Sequence, residues 1–189
     1  MKRLAVTGPG RVEVLEYEDR PLGDEEVLVR TEIASGKHGT AAAILEGVNF
    51  RGQRFDQSMR LFIDDPAAPA VSLSREKPWG VGTSGVGRVA AVGARVSRWR
   101  PGDRVFGLMD IRETNILHQD WLWPLGELDP LTALCIEPAY VAFHSVREAN
   151  VRFGDQVAVI GLGAIGLMAV RIAREGGAEQ VIAVDPIAR

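Results

Sequence analysis

Gln156-Val157-Ala158-Val159-Ile160-Gly161-Leu162-Gly163-Ala164-Ile165-Gly166 is the stretch on which the architecture turns. Val157 to Ile160 is a continuous apolar run, the pattern of a strand buried in a parallel sheet. The next six residues fit G-x-G-x-x-G. Leu167 to Glu175 reads as a helix, with Leu167, Val170 and Ile172 free to pack and Arg171 and Arg174 for solvent. Gly176-Gly177 stops it in the manner of a left-handed cap. Val181 to Val184 is a second buried strand, and Asp185 follows Gly166 by 19 residues. Strand, glycine turn, helix, strand and acid form a βαβ unit built for a dinucleotide. Gly161 permits the tight turn, Gly163 lets the backbone approach a pyrophosphate, and Gly166 lets the helix pack close. Ala164 and Ile165 belong to the same cofactor-binding turn, and the helix N-terminus that follows offers free N–H groups and its positive dipole end to the phosphates. The carboxylate of Asp185 suits a ribose hydroxyl pair and repels a 2′-phosphate, so NAD is expected. Arg189 nearby keeps NADP as the alternative.

Toward the N-terminus the period changes. Arg3 to Thr7, Val12 to Glu18, Glu26 to Ala34, Gly85 to Val92 and Arg104 to Gly107 read as short strands. Gly8-Pro9-Gly10, Pro21-Leu22-Gly23 and Pro101-Gly102 supply the breaks. Such spacing suggests a partly open β-barrel. Between Val48 and Val81 lies a long, weakly periodic insertion with Arg51, Arg54, Arg60 and Pro69, in which Phe55 to Phe62 is expected to form a helical turn or two. A loop of that length is usually a lid or a binding loop. Its arginines hint at an acidic or phosphorylated group, although Asp56, Asp64 and Asp65 can answer them locally. Leu131 to Asn150 reads as a helix interrupted at Pro138.

Composition excludes several classes. With 22 basic and 25 acidic residues well mixed, no basic stripe exists to grip a phosphate backbone, so nucleic acid is not an expected partner. No apolar run is long enough for a membrane span. Met1 to Gly10 meets charge and glycine at once, unlike a signal peptide, so a cytoplasmic home is expected. The single cysteine, Cys135, cannot form an internal disulfide and reads as a core residue of its helix.

Three stretches together resemble the medium-chain dehydrogenase/reductase superfamily, its alcohol and polyol dehydrogenases in particular. They are the opening with Pro21-Leu22-Gly23 and Glu26-Val27-Leu28-Val29-Arg30; Gly85-Val86-Gly87-Arg88-Val89 with Pro101-Gly102-Asp103-Arg104-Val105; and Glu137-Pro138 with the glycine motif and Asp185. The resemblance implies a mixed α and β protein. A GroES-like β-barrel domain (1–145, insertion at 48–81) would be followed by the first βαβ part of a Rossmann domain (146–189). A hydride would pass between NAD(P) and substrate in the cleft between two such domains, and homo-oligomers are common in the family. Where zinc-bearing members have a cysteine, this sequence has His38 in His38-Gly39-Thr40-Ala41. Where they have Gly-His-Glu it reads Gly82-Thr83-Ser84, and Glu137 matches a third ligand of polyol-type members. Zinc wants three or four Cys, His or carboxylate ligands. His38 and Glu137 make two, and His118 or Asp56 would have to complete the set. With one cysteine a four-cysteine structural zinc lobe cannot be built, and a member without zinc is expected.

Without a metal, hydride transfer at an alcohol carbon still needs a proton acceptor and a group to stabilise the alkoxide. Thr40 matches the family's proton-relaying hydroxyl, and His38 can act as acid or base near neutral pH. Thr83 and Ser84 can hydrogen-bond a substrate oxygen. The plainer readings are a structural histidine in a glycine-rich loop, Glu137 as a helix-start acid, His144 as a packing residue, and Trp121 and Trp123 as packing or cleft residues. Three functions follow: oxidation of a secondary alcohol or polyol-like small molecule; a zinc-free, NADPH-dependent reductase of activated C=C or quinone bonds; or a noncatalytic fragment that binds a partner through an unfinished sheet. A Rossmann domain has about six strands, of which this sequence supplies two. A fragment of a longer enzyme, or strands supplied from elsewhere, is therefore expected.

Overall fold

The structure is a computed structural model that describes residues 1–47, 52–56, 58–59, 61–67 and 73–187. Arg51, Arg60, Pro69 and Arg189 lie outside the described residues. The chain divides into two compact units, Met1–Pro130 and Leu131–Arg189.

The first unit is built on antiparallel strands. Strands β1 (Lys2–Gly8), β2 (Arg11–Glu16), β3 (Glu26–Ser35), β4 (Gln53–Asp56), β5 (Leu61–Asp64), β6 (Trp79–Gly80), β7 (Ser84–Val92), β8 (Arg104–Gly107), β9 (Thr114–His118) and β10 (Leu122–Pro124) follow in chain order. Helix α1 (His38–Leu45) comes after β3, and a 3-10 turn, η1 (Gln119–Trp121), joins β9 to β10. The main sheet has the order β10-β8-β7-β3-β9 and a smaller one the order β2-β1-β6. Leu4 N–H donates to Ile111 O at 2.9 Å and Glu113 N–H to Lys2 O at 3.1 Å, which ties β1 to the segment before β9. The result is a curled antiparallel half-barrel, as the strand spacing suggested, and it matches the GroES-like domain that the resemblance implied. Its alternating residues explain the core: Val27 and Val29 of β3, Val89 of β7 and Val105 of β8 point inward with Trp99, Met109 and Leu122. Gly87 sits opposite Thr31 on β3, where a side chain would collide with the Arg30 carbonyl, so only glycine lets β7 and β3 pair there.

Two local readings change. The described residues of the Phe55 to Phe62 stretch, expected as helical turns, belong instead to an antiparallel hairpin of β4 and β5. Asp56 nucleates it: its Oδ1 accepts from Ser58 N–H at 2.9 Å, Ser58 Oγ at 2.6 Å and Met59 N–H at 3.0 Å. Such a side-chain turn competes with helix. His38, read in a glycine-rich loop, is the first residue of α1.

The second unit contains α2 (Pro130–Leu134), α3 (Ile136–Glu148), β11 (Gln156–Ile160), α4 (Ala164–Glu175) and β12 (Gln180–Val184). The helical stretch breaks at Cys135 rather than at Pro138, because Pro138 lies in the first turn of α3, where its missing N–H costs nothing. Cys135 is exposed at that break, not in a core, and His144 stands out in solvent beside Arg147, not packed. The parallel pair β11–β12 runs in register from Gln156↔Gln180 to Ile160↔Val184. Helix α4 starts at Ala164, three residues ahead of the expected Leu167, and closes as a Schellman motif. Ala178 N–H donates to Ala173 O and Gly177 N–H to Arg174 O, both at 3.1 Å, with Gly177 at φ +99°. The strands are less buried than an apolar run implies. Ile160 is 82% exposed and Leu167 of α4 is 54% exposed. Among the described residues this sheet has two strands, so one face packs under α4 while the other lies open.

Candidate functional site

The glycine turn of the second unit has the geometry a dinucleotide needs. Gly161 is at φ +93°, a left-handed conformation costly for other residues, and its N–H donates to Val184 O at 2.7 Å. The strand ladder thus runs straight into the turn. Gly163 is the N-cap of α4 with extended backbone (φ −71°, ψ −171°) and no capping side chain. The first-turn N–H groups of Ala164, Ile165 and Gly166 and the positive end of the helix dipole therefore gather where β11 ends. A Cβ on Gly166 would land on the Gly161 carbonyl oxygen, so the helix seats directly on the turn. Asp185 closes the arrangement: its Oδ2 accepts from Leu162 N–H at 2.7 Å and its Oδ1 from Ile187 N–H at 2.8 Å. Glu137 sits half-buried in the first turn of α3, where a negative charge complements the helix dipole.

The other predicted residues fall in the first unit, and the register of β3 and β7 gathers most of them. Ser35 and Ser84 are paired across the two strands, with Oγ–Oγ at 3.4 Å. Thr83 N–H donates to Ser35 O at 2.8 Å. The Thr83 hydroxyl accepts from Lys37 N–H at 3.0 Å, and Lys37 is the residue that caps α1. His38 and Thr40 follow at once, both exposed on the first turn of α1. Thr83 is half-buried. Ser84 is only 5% exposed and faces Ser35, so its hydroxyl serves the strand junction rather than the surface.

Sequence reasoning missed Ser35, Lys37 and Asp110. Asp110 lies against Gly80 and Gly82: a Cβ on Gly80 would meet its carboxylate, and one on Gly82 its backbone. Asn115 holds it, accepting from Asp110 N–H at 3.1 Å and donating to Asp110 O at 3.2 Å. Burial pushes the Asp110 carboxyl above its ordinary value, against the opposing pull of Arg112 and Arg3. No linear pattern marks this residue, because its neighbours Gly80 and Gly82 come from a different strand connection. Among the described residues, no three histidine, cysteine or acidic side chains come close enough to hold a metal ion. Asp56 is committed to its hairpin turn and His118 to the turn before β10.

No family model matches the chain. Its whole length aligns with D-guloside 3-dehydrogenase of Escherichia coli K12 at 35% identity, covering 55% of that protein. A shorter stretch, 35% of the chain, is 44% identical to L-galactonate-5-dehydrogenase of the same organism, covering 19% of it. Among solved structures, a putative zinc-binding dehydrogenase of Clostridium scindens superposes over all of the chain and 59% of its own (TM-score 0.79, 20% identity). Over its whole length the chain is similar to proteins of the medium-chain dehydrogenase/reductase superfamily. Galactitol-1-phosphate dehydrogenase of Escherichia coli shares the fold over 97% of the chain and 55% of its own (TM-score 0.73, 20% identity). The chain spans about half the length of the curated relatives it matches end to end. Among the described residues, no helix is long and apolar enough to cross a membrane.

Proposed function

We propose that this chain contributes the substrate-side barrel and the phosphate-binding turn of an NAD(P)-dependent dehydrogenase acting on a secondary alcohol of a polyol or sugar-like substrate. The observation that carries the reading is the Gly161–Gly166 turn, closed onto α4 at Gly166 and bonded through Leu162 to Asp185. That cradle fits a dinucleotide: Gly163, Ala164 and Ile165 would face the pyrophosphate and Asp185 the adenosine ribose, which favours NAD over NADP. When bound, the nicotinamide supplies the hydride acceptor. The polyol and sugar-acid dehydrogenase names among the relatives support the substrate class.

The protein's own residues would handle the hydroxyl. Thr83, its oxygen already accepting from Lys37 N–H, keeps its own proton to donate to a substrate oxygen. His38 would take the alcohol proton; Thr40, two residues along α1 and so on another side of its first turn, would be an alternative contact for the substrate hydroxyl. Ser84 and Ser35 would hold the Thr83 segment against α1. Zinc does not fit this donor set. The positions that match the family's ligands carry His38, Thr83, Ser84 and Glu137, and a neutral hydroxyl already accepting a hydrogen bond is a poor zinc ligand. The same replacement of ligands favours a second reading, an NADPH-dependent reductase of activated C=C bonds.

A dinucleotide titration followed by polyol and methyl-glycoside oxidation assays tests the proposal. NAD should bind more tightly than NADP, and Asp185→Ala should weaken NAD by about tenfold, the cost of about one hydrogen bond to a charged group. Thr83→Val should cut turnover while Thr83→Ser preserves most of it. Enone reduction with NADPH and no alcohol oxidation would replace the first reading with the second. Absence of any dinucleotide binding would overturn both.

A further inference from the structure

A second pocket lies at the other end of β3 from the Ser35–Thr83 cluster. It is an open cavity of about 500 Å³ lined by Arg20, Glu26, Ile116, Leu117, His118, Asp120 and Trp121. Glu26 begins β3 and Ser35 ends it, so at about 3.3 Å per residue the two sites are roughly 30 Å apart. The pocket plays no part in the chemistry proposed above.

Its walls are rigid. Trp99 Nε1 donates to Gln119 O at 2.8 Å, Gln119 N–H to Glu25 O at 3.0 Å, and Ser97 N–H to Gln119 Oε1 at 3.1 Å. These bonds fix η1, the turn that carries Trp121. Trp121 is 63% exposed, and the His118 ring lies tilted to its indole at 6.2 Å between centroids. A large indole fixed in place yet open to water leaves an apolar face without cover.

The charges cancel pair by pair. Arg20 grips Glu26 with two hydrogen bonds of 2.6 Å, and Arg98 holds Asp120 at 3.0 Å. The two carboxylates that line the pocket, Glu26 and Asp120, are each paired with a guanidinium, so neither an anion nor a cation finds an unanswered charge on these groups. What the pocket offers is a fixed set of donors and acceptors around an aromatic face, with Ile116 and Leu117 below. A neutral ligand with one apolar face and a rim of hydroxyl groups complements that combination. Paired guanidinium and carboxylate groups meet neighbouring hydroxyls, and the ring's C–H face covers the indole.

From this geometry we infer that the barrel carries a second, noncatalytic binding site for a neutral pyranose ring, stacked on Trp121 and held at its rim by Arg20, Glu26 and Asp120. The inference stands apart from the proposed reaction and is tested without dinucleotide. Methyl β-D-glucopyranoside and methyl β-D-galactopyranoside would be titrated against the full chain by saturation-transfer NMR and tryptophan emission. Glucosamine and glucose 6-phosphate serve as charged comparisons. Saturable binding of a neutral glycoside with a Kd on the order of 1 mM is expected. Trp121→Ala should abolish it and Arg20→Gln should weaken it at least several-fold. Both side chains are exposed, and circular dichroism would show that each variant keeps its fold. Thr83→Val should leave this binding unchanged, which separates the pocket from the Ser35–Thr83 cluster. The inference is overturned if no neutral glycoside binds saturably, if Trp121→Ala binds as well as the parent, if Thr83→Val removes the binding, or if a charged sugar binds more tightly.

Discussion

Replacing Gly166 with alanine tests the turn at the point where fold and function meet. In an ordinary helix this change stabilises by about 1 kcal/mol, because alanine surrenders less backbone freedom than glycine. At Gly166 the new methyl would land on the Gly161 carbonyl oxygen, closer than any real carbon–oxygen contact. The obstacle is backbone, itself fixed by Gly161 N–H on Val184 O at 2.7 Å, so no side chain can swing aside. Overpacking of this kind costs about 1–3 kcal/mol, and a backbone obstacle puts this case at the upper end. The net expectation is a loss of about 2 kcal/mol, roughly 30-fold in the unfolding equilibrium. Moving the carbonyl also displaces the N–H groups of α4, so NAD affinity should fall by about tenfold or more. Gly39→Ala provides the internal reference. It too is helical, but its Cβ meets nothing within 4 Å, and it should gain about 0.5–1 kcal/mol. Urea denaturation followed by circular dichroism, beside a dinucleotide titration, reads both variants. Equal stability changes in the two, or Gly166→Ala with undiminished NAD binding, would refute the reasoning.

Two further predictions concern pH and carry opposite signs. Glu26 is held down from 4.5 to about 2, first by its hydrogen bonds from Arg20 and then by Gly23 N–H. A depressed carboxyl stabilises the fold fully above its unfolded value and loses that contribution as pH falls from about 4.5 toward 2. The parent should therefore weaken more steeply than Glu26→Gln across that window, and parallel acid-denaturation curves would contradict the prediction. Asp110 is raised above 3.8, chiefly by burial. Its ionisation works against folding, so its effect is absent in acid and grows as pH rises above the unfolded value. Asp110→Asn should equal or exceed the parent in stability at neutral pH despite the nearby Arg3 and Arg112, with the two converging in acid. A neutral-pH loss of more than about 1 kcal/mol in urea melts would show that the arginine attraction outweighs desolvation.

The sequence and the structure divide the work in a physically consistent way. The βαβ unit was legible because every signal in it is local: the glycines of the turn, the apolar runs on either side, the paired glycines at 176 and 177, and one acid at the end of the next strand. Backbone conformation at such positions depends on a residue and its immediate neighbours, so G-x-G-x-x-G and the cap could be read directly. The strands of the barrel were legible for the same reason, through period-two alternation along Glu26–Ser35 and Ser84–Val92. Where a side chain competed with the backbone the reading failed: Asp56 turned an expected helix into a hairpin. Pro138 misled because its cost depends on where a helix starts, and α3 starts two residues before it.

Burial and neighbourhood belonged to tertiary structure alone. Val157 to Ile160 announces a strand in any context, but whether Ile160 is covered depends on what lies across the sheet. Likewise the sequence offered His38, Thr40, Thr83 and Ser84 as separate candidates. Only the register of β3 against β7 brought Thr83 onto the residue that caps α1 and turned Ser84 inward toward Ser35. It also took the tertiary fold to set Asp110 beside Gly80 and Gly82, and to gather Arg20, Glu26, His118 and Trp121 around one cavity. A strand's residues know their alternation from the chain, but which strand stands opposite, and in what register, is fixed by the summed packing of the whole sheet.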